Sequence, residues 1–229
     1  MQQTLPVPAR TSAPVDFSLP RDAVTGEAID VLAEVYREHI NLCVWRRTPD
    51  PRIEQYLGRL LQPRYVGVTW QYQCAAHELR DLLLTVWPVA DHRDVLIDDL
   101  QLLVDLFATL LDLDRVGLRV SVLGKAMCPR FHVDRVPCRL VTTYGGPGTE
   151  WLRNADVNRG VMGRRSPGQP DEVSGLIASP DRIQRLGRHD VALMKGENWQ
   201  GNDGGGLVHR SPALSEGEMR LVVTLDIIG

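Results

Sequence analysis

From Arg115 to Gly229 the chain contains no amphipathic helical stretch longer than two turns, and that absence sets what it can fold into. The segment is built instead from short apolar runs separated by Gly and Pro: VGLRVSVLG, RFHVD, CRLVTTY, TEWLR, HDVALMKG, GLVHRS and MRLVVTLDI. Runs of this kind, rich in β-branched and aromatic residues and bounded by turn formers, are strands. Seven of them in succession can satisfy their backbone groups only by pairing with one another, which predicts a sandwich or barrel. The stretch RGVMGRRSPGQPDE, from Arg159 to Glu172, lacks periodicity and reads as a long loop, of the kind that serves as a lid or binding element.

The first half is patterned differently. Residues 1–20 carry four prolines and read as a flexible arm. Asp22 or Thr25 could cap a helix reaching about His39, with Ile29, Leu32, Ala33, Val35 and Tyr36 at helical spacing. INLCVWRR reads as a short buried strand, RIEQYLGRLL as a helix, and VGVTWQYQ as a strand or extended segment. AAHELRDLLLTVW is helical and stops at Pro88; a long helix follows from about Arg93 to Leu113, with Asp91 as a candidate cap. The layout expected is α+β: a mainly helical cap region over 21–114, packed on an all-β core over 115–229, the two forming one folding unit.

Apolar residues make up 43% of the 229, enough for a sizeable core. The formal net charge of −3 gives no basic surplus for a nucleic-acid binder, and lysine occurs only at Lys125 and Lys195. The longest apolar stretch, Leu100 to Leu113, is broken by Asp105 and Asp112 and is no membrane span. The four cysteines are widely spaced without a CxxC pair, and the start of the chain lacks the apolar run of a secretory leader; a cytoplasmic protein with reduced thiols is expected. The apolar pattern of the long helix serves a core or a homodimer interface alike.

The chemistry gathers around Phe131-His132-Val133-Asp134. Side chains alternate along a strand, so His132 and Asp134 face the same side and can grip one ion. His209, in GGGLVHRSP and 75 residues after Asp134, is the best third ligand. Two neutral imidazoles and one carboxylate leave three positions of an octahedron open, which suits non-haem Fe(II). Arg220 opens the strand MRLVVTLDI eleven residues after His209, where its guanidinium could take a carboxylate as a bidentate pair. Cys128, four positions before His132, opens another reading: with His132, Asp134 and His209 it would complete a tetrahedral Zn(II) site.

The order H-x-D, then His, then Arg on the following strand resembles the Fe(II)- and 2-oxoglutarate-dependent dioxygenase superfamily, over roughly Arg115 to Gly229. The resemblance implies a double-stranded β-helix of jelly-roll or cupin-like form. It also implies iron held by His132, Asp134 and His209, 2-oxoglutarate anchored by Arg220, and hydroxylation of a small-molecule or peptide substrate. Many members carry Ser or Thr two residues after the arginine, where this chain has Val222; Thr224 or Tyr144 could supply that hydroxyl. The phrases CPRFHVDRVPCRLVTTYGGPGTEWL, LMKGE and VHRSP also resemble an uncharacterised bacterial family found near zinc-homeostasis genes. That likeness implies the alternative, a zinc-binding accessory or sensing protein without oxygenase activity. A cupin-like binding module with a degenerate site is a third reading.

Other residues have plainer uses. Cys43, Cys74 and Cys138 fit a core, and His39, His77, His92 and His189 fit surfaces or helix faces. Trp151 and Trp199 would line a pocket or pack in the core; Arg164 and Arg165 would meet an anionic substrate or solvent. GNDGGG is followed by neither GK[ST] nor a helix and is no phosphate loop; G-x-S-x-G and H-E-x-x-H are absent.

Overall fold

The computed structural model describes residues 22–162 and 169–228. The N-terminal arm expected over 1–20, together with Arg164 and Arg165, lies outside the described residues.

Among the described residues, ten strands and three α-helices follow in chain order. The strands are β1 (Asp22–Gly26), β2 (Ile40–Trp45), β3 (Thr69–Ala75), β4 (Arg115–Leu123), β5 (Cys138–Gly145), β6 (Glu150–Trp151), β7 (Gln184–Arg185), β8 (Val191–Lys195), β9 (His209–Arg210) and β10 (Arg220–Ile227). The helices are α1 (Arg52–Leu60), α2 (Leu79–Val86) and α3 (Arg93–Leu111). A large sheet has the order β1-β2-β8-β5-β10-β4-β3, and a small one the order β7-β6-β9. His132 extends the small sheet by a single antiparallel bridge to His209. From β4 onward the chain therefore passes back and forth between two sheets, the winding of a double-stranded β-helix. Only the β1–β2 pairing is parallel.

All three α-helices lie in the N-terminal half, as expected, but that half also supplies three of the seven strands of the large sheet: β1 and β2 at one edge, β3 at the other, and β1 forms where a helix is expected. The reason lies in β2, whose residues Ile40 to Val44 are all buried. A strand buried on both faces needs neighbours on both sides, and it finds them in β1 and β8. The segment expected to begin a helix at Asp22 is thereby drawn into pairing, Ala23 against Leu42 and Val24 against Cys43. Helical spacing survives only in a short 3₁₀ helix, Ile29–Tyr36, which buries Val31, Leu32 and Val35. α3 forms as expected, but its capping position is His92 in the left-handed region (φ 63°) without a side-chain cap bond, and Asp91 does not cap it.

Strand alternation sorts the large sheet into two faces. The back carries Val116, Leu118, Val120 and Val122 of β4 and Leu221, Val223 and Leu225 of β10, packed against the helices. There α3 lays down Leu96, Ile97, Leu100, Leu103, Val104 and Phe107. The apolar stripe of the long helix is thus occupied by the core. The front meets the small sheet through Leu42, Val44, Val141, Met194 and Val222 against Trp151, Leu186 and Leu207. This packing runs out toward β3, whose front side chains Thr69, Gln71 and Gln73 are exposed. The site opens at that end.

Candidate metal centre

The backbone bridge that makes His132 part of the small sheet also brings the two histidines together. His132 N–H donates to the His209 carbonyl and His209 N–H to the His132 carbonyl, both at 3.0 Å. Their ring centroids are 4.6 Å apart. Each ring is oriented the same way: Nδ1 of His132 lies 2.9 Å from the Arg130 carbonyl, and Nδ1 of His209 lies 3.1 Å from the Leu207 carbonyl. A carbonyl can only accept, so both Nδ1 atoms carry the proton and both Nε2 atoms keep a lone pair. Those lone pairs converge on Asp134, at 3.3 Å for His209 and 3.7 Å for His132. Groups bound side by side at about 2.1 Å from one ion lie about 3 Å apart, so this spacing is that of a shared metal site. The ligand atoms of the three residues lie within 4.8 Å of one another.

Electrostatics hold the set in its ligating state. Burial alone would raise the Asp134 carboxyl, but in acid, where it titrates, the bond from protonated His209 and the charges of His209, Arg139 and His132 outweigh burial and hold the carboxyl down at about 2. Arg139 donates from Nη1 to Asp134 at 2.7 Å and clamps Asp226 with its remaining nitrogens at 2.7 and 3.1 Å. His132 is pushed below the usual imidazole value, first by burial and then by the neighbouring His209. At neutral pH the site offers the His132 lone pair and the Asp134 carboxylate in the forms a metal needs. The approach to His132 is fixed by Asp171, 2% exposed, which accepts from the Phe131 amide (2.7 Å) and from Arg130 Nε (2.6 Å). Next to His209, Arg210 is held by Glu150 and Glu172, both at 2.7 Å.

A family model described as "Protein of unknown function (DUF1826)" matches residues 26–226. The chain belongs to that family. No curated protein matches the DUF1826 chain. Among solved structures it is similar to the dioxygenase for auxin oxidation of rice, with 12% identity, TM-score 0.50, 93% of this chain and 83% of the other covered. It is also similar to the dioxygenase for auxin oxidation 1 of Arabidopsis thaliana, solved as its 2-oxoglutarate complex (12%, TM-score 0.47, 92% of each chain). A third is described as a putative oxygenase of Shewanella oneidensis (11%, TM-score 0.47, 90% and 89%). At these identities the likeness shows the fold alone.

Arg220 of the DUF1826 chain opens β10. It is 2% exposed and lines the same cavity, of about 80 Å³, as His132, His209, Thr224 and Arg119. Its Nη2 donates to Thr143 Oγ1 (3.0 Å) and Thr149 Oγ1 (2.7 Å). No carboxylate among the described residues pairs with it, and its Nε has no partner. Burial therefore lowers this guanidinium to about 10, with only the more distant Glu150 charge opposing. Thr224 presents a buried, unpartnered Oγ1, and Val222 forms apolar wall between the two.

Tyr144 is corrected by the fold. The alternation of β5 turns Thr143 to the front and Tyr144 to the back, where its hydroxyl bonds Asp99 and receives Arg47. It does not reach the cavity. Cys128 is exposed at the cavity rim and lies outside the three-residue ligand set. Cys43, Cys74 and Cys138 are buried, as expected; Trp151 packs between the sheets and Trp199 beside Tyr36 and Lys195. Sequence reasoning did not single out Arg119, Arg139, Asp171 or Asp226. A charge on the alternating face of an apolar strand, as in CRLVTTY and LVVTLDI, was the available signal.

Proposed function

We propose that this protein is a non-haem, Fe(II)-dependent oxygenase of the 2-oxoglutarate type. The observation that carries the reading is the pair of histidines tied through Nδ1 to backbone carbonyls, their Nε2 lone pairs meeting Asp134 beside a cavity that both histidines line and that also holds an acid-free arginine. His132, Asp134 and His209 would hold the iron, with three positions left for co-substrate and dioxygen. Bound there, iron and 2-oxoglutarate supply the oxidation: dioxygen gives one atom to substrate as a hydroxyl and one to succinate, with loss of carbon dioxide.

The remaining work belongs to the chain. Arg139 keeps the Asp134 carboxylate aimed while its charge is shared with Asp226. Arg220 Nε is a buried polar atom without a partner, which the far carboxylate of 2-oxoglutarate would satisfy. Thr224 Oγ1, four residues along the strand, offers a second unpartnered hydroxyl on the same cavity wall. Leu123, Val141, Met194 and Val222 line the same cavity and exclude water from it.

The competing reading is a zinc-binding accessory or sensing protein with Cys128 as fourth ligand. The exposure of that thiol, outside the ligand set, argues for the iron reading. Metal analysis of the purified protein, followed by anaerobic titration with Fe(II) and 2-oxoglutarate, separates them. A visible charge-transfer band needing both additions, and lost in His209→Ala, is expected. Stoichiometric zinc that resists exchange, with no band, would overturn the oxygenase assignment.

A further inference from the structure

Among the described residues, four arginines line the metal cavity: Arg119, Arg139, Arg210 and Arg220. Two are neutralised: Arg139 by Asp226, its second partner Asp134 being counted with the metal, and Arg210 by Glu150 and Glu172. Arg220 is taken by the proposed co-substrate. Arg119 is left over. It is half-buried, and among the described residues its guanidinium makes no ion pair and no hydrogen bond. Its nitrogens keep contact with solvent, so an incoming anion can take them as a bidentate pair without displacing an internal partner.

Its surroundings describe that ligand. Arg119 stands on the front face of β4, in register with Gln71 of β3 and Thr224 of β10. Beside it the Ser121 and Thr69 hydroxyls meet at 2.9 Å. This is the side where the small sheet no longer covers the large one and where Thr69, Gln71 and Gln73 are exposed. Charge counting gives the sign. Fe(II) less Asp134 leaves one positive charge and Arg220 adds another; 2-oxoglutarate, a dianion, cancels both. The charge of Arg119 then remains for one further anionic group.

We propose that Arg119 is the substrate-binding cation of this centre, and that the substrate is a small organic acid. Its carboxylate or phosphate pairs with Arg119 while its body lies against the aliphatic wall. The inference rests on the oxygenase reading above, and its test separates the two. Protein loaded anaerobically with Fe(II) and saturating 2-oxoglutarate is titrated with benzoate and, separately, with phenyl phosphate, following the charge-transfer band and the melting temperature. Saturable binding of one of them is expected, and which one names the anionic head. Arg119→Gln weakens that binding by at least about tenfold, Arg119→Lys recovers part of it, and both keep the 2-oxoglutarate affinity of the wild type. Melting curves of the metal-free variants establish that they are folded.

Absence of binding by either anion, or binding untouched by Arg119→Gln, overturns the proposal. So does an equal loss of 2-oxoglutarate affinity, which would make Arg119 part of the co-substrate site. Failure of the oxygenase reading shows differently, as a wild-type protein without the band. The same titration on metal-free protein then reads Arg119 by itself: dependence on Arg119 keeps the anion site, and its absence removes it.

Discussion

At the residue scale, Arg139 joins two carboxylates that belong to different parts of the chain, Asp134 beside the histidines and Asp226 near the end of β10. Arg139→Gln should leave Asp134 free to turn away and lower metal affinity by about 10–100-fold, measured by competition with a chelator. Acid should act on the metal-free protein in two stages. His132 has a folded value below its ordinary 6.5 and Asp134 one of about 2 against an ordinary 3.8. In both, the folded state binds fewer protons than the unfolded chain, so stability is present above the ordinary values and is lost as pH falls below them. Urea midpoints should decline first below about pH 6.5 and again below about pH 4; the first decline should shrink in His132→Ala, the remainder belonging to His189, which burial also holds below its ordinary value. That His132, Asp134 and His209 gather, with Arg220 on the same cavity, was legible in their order along the chain, although the strand expected at RFHVD is a single bridge. Tyr144 was misread because the motif gives proximity along the chain without parity, and one residue along β5 exchanges front for back.

At the element scale, the segment after Asp134 is seated on the end of β8. Gly196 donates to the Pro137 carbonyl and the next amide, of Glu197, to the Asp134 carbonyl (2.9 and 2.8 Å). A Cβ on Gly196 would stand 2.0 Å from the Val136 carbonyl oxygen and 2.8 Å from that of Asp134. Both are backbone atoms, so the ligand loop itself must move. Gly196→Ala should cost about 2–4 kcal/mol and weaken metal binding. Gly58, within α1, has nothing within 4 Å of such a Cβ; Gly58→Ala should stabilise by about 0.5–1 kcal/mol. Denaturant titration of the two variants checks the contrast. The strands of the second half were readable as elements because their patterns are local. The strand at Asp22–Gly26 was not, because only its pairing with β2 makes it one. RFHVD shrinks to a single bridge for the opposite reason: its backbone is spent on Asp171 and on orienting His132.

At the scale of the whole molecule, the helix layer and the site meet through one sheet. Arg47 pairs with Asp99 of α3 through both of its terminal nitrogens, and the Tyr144 hydroxyl joins them. Tyr144→Phe removes one bond from this buried triad and should cost about 1–2 kcal/mol in thermal or urea unfolding. The affinity for 2-oxoglutarate should not change, because the ring lies behind the sheet. The helices against an all-β second half were legible in composition and period. That the first half also closes both edges of the large sheet was not, because those contacts join residues far apart in sequence, and local pattern carries no record of them.

The bridge between His132 and His209 has a kinetic corollary. Among the described residues it is a single pair of amides, joined between the same two segments only by the bond from Ser211 N–H to the Cys128 carbonyl (2.9 Å), so the small sheet can open there without the rest of the molecule unfolding. A metal bound to both rings would close the same gap from the side-chain direction. The two amide protons should then exchange with solvent together, and slow together, when metal is added, while those of β10 keep their rate. The backbone of the centre would thus act as a clasp whose lifetime is set by the ion it holds.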